Sequence, residues 1–490
     1  MRTVGMPQGA VATGDWGLKT YCHNSRYEIA DIMIIMKFGG TSVANFEAIT
    51  RTIFIIGGRL DQKPVVVVSA LSKVTDLLYR ISDAAASQDA RQTKELLAEL
   101  RQRHLNLTSQ LLEQSPLMKE DALSRVNAIC DDLDSLANAV CAVGELSDRN
   151  KAIIISNGEL LSSTIICFAM NAKGIRTNFI DAREMMITND SYMKGEPVVE
   201  EIAARVPGMV EAAYKGMDAV ITQGFIASNL KGEQTVLGRG GSDYSASLIG
   251  MSVDAERIEI WTDVDGVRTA DPRRVPNTKY LEKISFEEAA EMAHFGAKVL
   301  HPLTIEPAVK KNIPLYVLNS MNPSGKGTAI LRSELIEDGV KSVSFKENIR
   351  VINIFSMRMI NTSGFLRRVF EIYSENKVSV DLISTSEANI SVTVDAGEKI
   401  DAVVEQLSEF ADVIVDDDKS QVSVIGKNIV RLNGMLKKTF TPLKKCNVYM
   451  ISQGASFVNI SFVVDREELD EVVLGLHDHL FDNPDDPLGW

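Results

Sequence analysis

Between Met33 and about Leu331, short apolar runs alternate with segments of helical spacing, and this alternation narrows the possible folds sharply. Pro64–Ala70 (PVVVVSA), Thr177–Ala182 (TNFIDA), Asp218–Phe225 (DAVITQGF), Arg257–Gly266 (RIEIWTDVDG) and Ile313–Asn319 (IPLYVLN) read as buried strands. Strands that are apolar along their length and separated by helices imply a mainly parallel sheet covered on both faces. Residues 84–150 are rich in Glu, Lys, Gln and Leu and read as a helical insertion on that sheet. Residues 1–35 lack the basic start and apolar stretch of a secretory signal and are expected to form a poorly ordered extension.

Beyond Leu331 the pattern changes. The charged stretch 332–347 reads as a linker, followed by two shorter units, 348–416 and 417–490. These carry an internal repeat. NTSGFLRRVF (Asn361–Phe370) aligns with RLNGMLKKTF (Arg431–Phe440), and NISVTVD (Asn389–Asp395) with NISFVVD (Asn459–Asp465), both at an offset of 70 residues. Each copy reads as strand, glycine-started helix, strand, strand. A repeated α+β module after a complete α/β domain is expected to regulate rather than catalyse.

Composition excludes several partners. A net charge of −14 and a pI near 5.1 argue against nucleic acid, although a local basic groove remains compatible with that sum. Five scattered cysteines, with no CxxC or Cys/His ligand spacing, fit a reducing cytoplasm and disfavour a structural metal site. No run reads as apolar over the roughly 18 residues a membrane span needs.

Neither the Walker pattern nor the Rossmann glycine fingerprint is present. Four polar, glycine-rich clusters instead fall where strands are expected to end, which is where ligands bind in open α/β sheets. The first is Lys37-Phe38-Gly39-Gly40-Thr41-Ser42. It reads either as a turn in which the glycines supply positive φ, or as a phosphate cradle with Lys37 as countercharge. The second, GRGGSDYSA from Gly238 to Ala246, offers backbone N–H groups to an anion and an arginine able to grip a carboxylate in bidentate fashion. Ser242 or Asp243 capping the next helix is compatible with that. The third is WTDVDGVRTADPR, Trp261–Arg273, and the fourth HFGAKVLHP, His294–Pro302, where Lys298 supplies a second cation. His294 and His301 read as structural, since no third metal ligand has suitable spacing.

In order along the chain, KFGGTS, NGELLSS (Asn157–Ser163), TND (Thr188–Asp190), ITQGFI (Ile221–Ile226), LGRGGSDYSA, WTDVDG, TADPR and GAKVLHP resemble the amino acid kinase family, and its aspartokinase branch most closely. The repeats resemble that branch's paired ACT domains. The resemblance implies a three-layer α/β/α sandwich over 36–331 and ACT domains over 348–416 and 417–490. It implies phosphorylation of the β-carboxylate of L-aspartate by ATP and Mg²⁺, the entry to lysine, threonine and methionine synthesis. By motif, Ser69, Thr75, Glu159, Arg239, Gly240, Gly241, Ser242 and Asp243 would form the aspartate site, with Lys37 and Asp243 central to catalysis. Lys37, Gly39, Gly40, Thr41, Thr262, Asp263, Arg268, Arg273 and Lys298 would surround ATP. Arg268 stands where relatives often carry tyrosine, which implies a lost aromatic contact.

In the first repeat, Met359, Thr362, Gly364, Phe365, Leu366, Ser379, Val380, Asp381, Ser386 and Glu387 match the effector pocket of the lysine-inhibited type. The second repeat replaces Ser-Val-Asp with Asn447-Val448-Tyr449 and loses the acid. A homodimer joined through ACT domains, or a tetramer, is expected from the resemblance. Two alternatives remain: another kinase of the family that forms an acyl phosphate, and an inactive amino-acid sensor.

Overall fold

The computed structural model describes residues 33–295, 302–360, 363–443 and 445–482. The expectations for residues 1–32, Lys298, His301 and Thr362 lie outside them. An eight-stranded sheet carries the first half of the chain, in the order Thr177–Ile180, Ala219–Gln223, Pro64–Val68, Ile34–Phe38, Arg257–Thr262, Leu315–Asn319, Thr328–Leu331, Lys283–Ser285. Its pairings are parallel except between Leu315–Asn319 and Thr328–Leu331. The central strands Ile34–Phe38 and Pro64–Val68 are buried at every position, which is why they read as continuous apolar runs.

Helices fill the stretch expected to be helical: Val74–Ala86, Ala90–Leu111, Pro116–Val143 and Asp148–Ala172. The last is long and apolar enough to cross a membrane by length and composition, contrary to the expectation from the sequence. Most of it is buried, however, and it packs against the helix Val74–Ala86 and the sheet as a core helix.

The 332–347 linker is corrected. From Gly339 the chain enters a 17-residue strand, Gly339–Phe355, whose first half pairs antiparallel with residues 419–427 and whose second half pairs with 412–416. One six-stranded antiparallel sheet therefore spans both repeats, in the order Ile383–Thr385, Asn389–Asp395, Gly339–Phe355, Asp412–Lys427, Asn459–Asp465, Met450–Gln453. Lys341, Lys346 and Glu347, the charges within this strand, are only partly exposed there. The 70-residue repeat is visible in the helices Phe365–Glu375 and Met435–Phe440, each started by a glycine at positive φ. Each module has its own apolar core, one around Val369 and Val392 and the other around Phe462 and Val473. Ala270 and Val275, from the loop after the strand Arg257–Thr262, belong to the second of these cores.

The two long strands close together at Gly426, where a Cβ would lie 2.1 Å from the Gly339 carbonyl oxygen. Gly426→Ala is expected to destabilise the protein by about 2–3 kcal/mol through forced separation of the strands. Chemical denaturation of wild type and variant measures this.

Candidate active site

Lys37 lies next to last in the central strand Ile34–Phe38, with parallel neighbours on both sides. Its ammonium is 2.5 Å from Oδ1 of Asp243, and the two side chains are only 11% and 15% exposed. Asp243 belongs to the first turn of the helix Gly241–Ser252, where the helix dipole favours a carboxylate. The cap of that helix is Gly240, at φ 72°, and no side chain caps it. Ser242 and Asp243 are thus inside the helix rather than capping it, and its N-terminus stays open to an anion. Arg239 stands exposed just before it, with no ion pair among the described residues.

The glycine turn differs from its simplest reading. Neither Gly39 nor Gly40 adopts positive φ. Close packing is the constraint at Gly40, where a Cβ would sit 2.9 Å from the Ala70 carbonyl oxygen. Gly39 N–H donates to the Trp261 carbonyl (3.1 Å), and the Ser72 N–H to the Gly40 carbonyl (3.1 Å). Ser42 is buried and donates to Ser320 Oγ (2.8 Å), so it fixes the loop, while Thr41 is partly exposed. These bonds draw the ends of three neighbouring strands to one place.

Glu159 is 3% exposed on the helix Asp148–Ala172. Oε1 accepts the Ala70 N–H at 3.1 Å, whereas Oε2 is buried without a hydrogen-bond partner. Burial pushes its pKa up to about 8, against the pull of the Ala70 bond. Gly158 lets the helix approach this closely, since a Cβ there would lie 2.7 Å from that of Ala70. Ser69, next to Ala70 and with its carbonyl accepting Ser162 Oγ at 2.8 Å, and Thr75, in the first turn of Val74–Ala86, are both partly exposed. A buried acid with one unsatisfied oxygen is suited to an incoming ammonium group.

Thr262, Asp263, Arg268 and Arg273 line one cavity of about 370 Å³. Its other wall is Ser342, Val343, Ser344 and Phe345, from the long strand of the regulatory sheet. The sequence alone does not reveal this wall, because the charged stretch 332–347 reads as a linker. Arg268 packs on an aromatic ring that does not line this cavity. Its guanidinium lies 4.0 Å from the centre of the Tyr280 ring, and it donates to Thr278 Oγ1 at 2.8 Å. Arg273 is folded back onto Asp271, with Nε 3.0 Å from Oδ1. Asp265 has a structural role, accepting from Asn319 (2.8 Å) and Tyr280 (2.9 Å), which holds its pKa below the usual carboxylate range.

In the first repeat, Met359, Phe365 and Val380 share one apolar cluster, beside Gly364 at φ 89° and an exposed Leu366. Asp381 is nearly covered and paired with Lys346 at 2.5 Å. Ser379 is exposed, and Ser386 and Glu387 lie on an exposed hairpin turn. An extended chain of five residues separates Asp381 from Ser386, roughly 16 Å. One copy of the chain therefore does not close these residues into a single pocket.

Residues 33–319 match the model of the amino acid kinase family, and residues 352–409 and 422–480 that of the ACT domain. The chain is 33% identical over 461 residues to the lysine-sensitive aspartokinase 3 of Escherichia coli K12, covering 92% of this chain and 99% of that protein. It is 34% identical to the chloroplastic aspartokinase 1 of Arabidopsis thaliana, covering 93% of this chain and 81% of that one. Among solved structures it resembles E. coli aspartokinase III in complex with aspartate and ADP (R-state), with a TM-score of 0.79, 33% identity, and coverage of 92% and 100%. The complex of the same enzyme with lysine and aspartate (T-state) gives 0.73, with coverage of 92% and 99%.

A carboxyl group that stays protonated to about pH 8 when folded, against about 4.5 when unfolded, binds more protons in the folded state. Its contribution to stability therefore falls as pH rises from about 5 to 8. Glu159→Gln should remove that loss and raise the melting temperature at pH 8 by a few degrees, with less effect at pH 5. Thermal unfolding of the unliganded protein across this range measures the difference.

Proposed function

The chain belongs to the amino acid kinase family, in its aspartokinase branch, and from that premise we infer that it transfers a phosphoryl group from ATP to the β-carboxylate of L-aspartate, forming 4-phospho-L-aspartate. The observation that carries this reading is the Lys37–Asp243 pair at the open N-terminus of a helix, with Arg239 beside it and buried Glu159 at the adjoining strand end.

The chemistry suits these groups. A carboxylate with an ordinary pKa near 3.9 is ionised at pH 7 and needs no general base. The barrier is repulsion between that carboxylate and the γ-phosphoryl group, so catalysis consists of positioning and charge neutralisation. Lys37 faces the transferring phosphoryl group, and Asp243 orients the ammonium. Gly39, Gly40 and Thr41 bring backbone close to the phosphates. Glu159 pairs with the α-ammonium of aspartate, which restores its carboxylate form, and Arg239 grips the α-carboxylate, with Ser69, Thr75 and the Gly240–Ser242 turn completing the pocket. The nucleotide base and ribose occupy the cavity of Thr262, Asp263, Arg268 and Arg273 against Ser342–Phe345, and Lys298 adds a further cation. Mg²⁺ bound with the nucleotide would neutralise part of the phosphate charge beside Lys37.

Lysine acts as feedback effector in the first ACT module, with its carboxylate at the Gly364-started helix near Met359, Thr362, Phe365 and Leu366, and its ammonium groups toward Asp381. Two copies join through this module's open edge. Ile383, on the edge strand Ile383–Thr385, is 46% exposed, and an added strand would bring Ser386 and Glu387 of one copy toward the pocket of the other. The scattered free thiols support a reducing compartment such as the cytoplasm.

A hydroxamate assay with ATP, Mg²⁺ and aspartate tests the reaction, and activity on glutamate alone would replace aspartate as substrate. Lys37→Ala should lower turnover by about a thousandfold with the fold retained. Wild-type-like turnover would remove Lys37 from the chemistry. Asp381→Ala should raise the lysine concentration for half-inhibition by about tenfold or more. Unaltered inhibition would move the effector site elsewhere.

A further inference from the structure

The acid assigned to the effector is already occupied. Lys346 Nζ lies 2.5 Å from Asp381 Oδ2 and 2.8 Å from Asp395 Oδ1. His294 Nε2, at the end of the catalytic-domain helix Phe286–His294, approaches Asp381 Oδ1 at 3.6 Å. The Asp381 side chain is 9% exposed and that of Lys346 21%, so the ammonium covers the carboxylate. Asp395 is half exposed. Burial alone would lower the Lys346 pKa, but hydrogen bonds to the two carboxylates outweigh it and hold the value above the ordinary range. The chain thus places a lysine side chain where the ammonium of a free lysine would bind.

We propose that Lys346 is a built-in occupant of the effector's cation subsite, and that lysine binds by displacing its ammonium from Asp381. This rests on the effector reading given above and deepens it. Two carboxylates face one ammonium, so the subsite favours cations, yet Asp381 cannot take a second one while Lys346 covers it. Exchange of one ammonium for another leaves the charge of the subsite unchanged and avoids stranding a buried carboxylate. Lys346 lies in the same strand as Ser342–Phe345, the wall of the nucleotide cavity. Its release therefore acts on a strand that borders both sites.

Equilibrium dialysis of radiolabelled lysine against the full-length protein tests the exchange. Lys346→Met removes the competitor and should tighten the lysine Kd by about tenfold. Lys346→Arg keeps a cation that can bridge both carboxylates and should leave the Kd equal to wild type or weaker. An unchanged or weakened Kd in a folded Lys346→Met protein overturns the proposal. So does a tightened Kd in Lys346→Arg, which keeps the test open should the methionine variant fail to fold. If wild type binds lysine but the variants match it, only the exchange is lost. If neither wild type nor Lys346→Met binds lysine, the effector reading falls and the exchange falls with it.

Discussion

A lysine ammonium held at the carboxyl end of a fully buried central strand organises this molecule. A cation so covered needs a partner, and Asp243 supplies it from a helix that comes from more than 200 residues further along the chain. The pairing sets the first turn of that helix over the strand end, which keeps Arg239 and the helix N-terminus beside the phosphate-facing loop. Lys37 is thereby pre-oriented without being neutralised for good, since a phosphoryl group carries more negative charge than one carboxylate. Glu159 shows the opposite device: a carboxyl group with no cation beside it among the described residues, whose pKa burial pushes up to about 8.

The regulatory half touches the catalytic half through the loop after the strand Arg257–Thr262. Thr269 Oγ1 lies 2.8 Å from His477 Nε2, Lys279 pairs with Asp482, and Arg274 pairs with both Glu347 and Asp470. Glu291, in the helix Phe286–His294, accepts from Asn459 of the second module. The two ACT modules share their long strands, so a shift at one end of Gly339–Phe355 has a continuous ladder along which to act. The cavity lined by Thr262, Asp263, Arg268 and Arg273 has its other wall on that strand.

Much of this was legible in the sequence. The parallel sheet could be read because its strands, buried on both faces, are unbroken apolar runs. The repeat could be read because equal folds impose equal spacing. The site loops could be read because glycine, lysine, arginine and aspartate at strand ends serve few other purposes. The linker reading fails for an equally physical reason: Lys341, Lys346 and Glu347 look like solvated chain until the partner strand Asp412–Lys427 is found. Gly39-Gly40 suggested positive φ, but in the folded chain Gly40 serves the close approach of Ala70, a neighbour that local sequence does not reveal. Only the fold brings the Tyr280 ring against the Arg268 guanidinium.

The sequence by itself determined the element types, the order of the domains and the residue chemistry of the loops, since these follow from periodicity and from the few side chains able to meet phosphate or carboxylate. Tertiary structure alone decided which charges meet. Lys37 with Asp243, Asp381 with Lys346, and Phe345 with the nucleotide loop are separated by 35 to 206 residues and are joined only when the sheets assemble. Burial, not spacing, then sets what each group can do, because the cost of an unpaired charge depends on the solvent that folding removes.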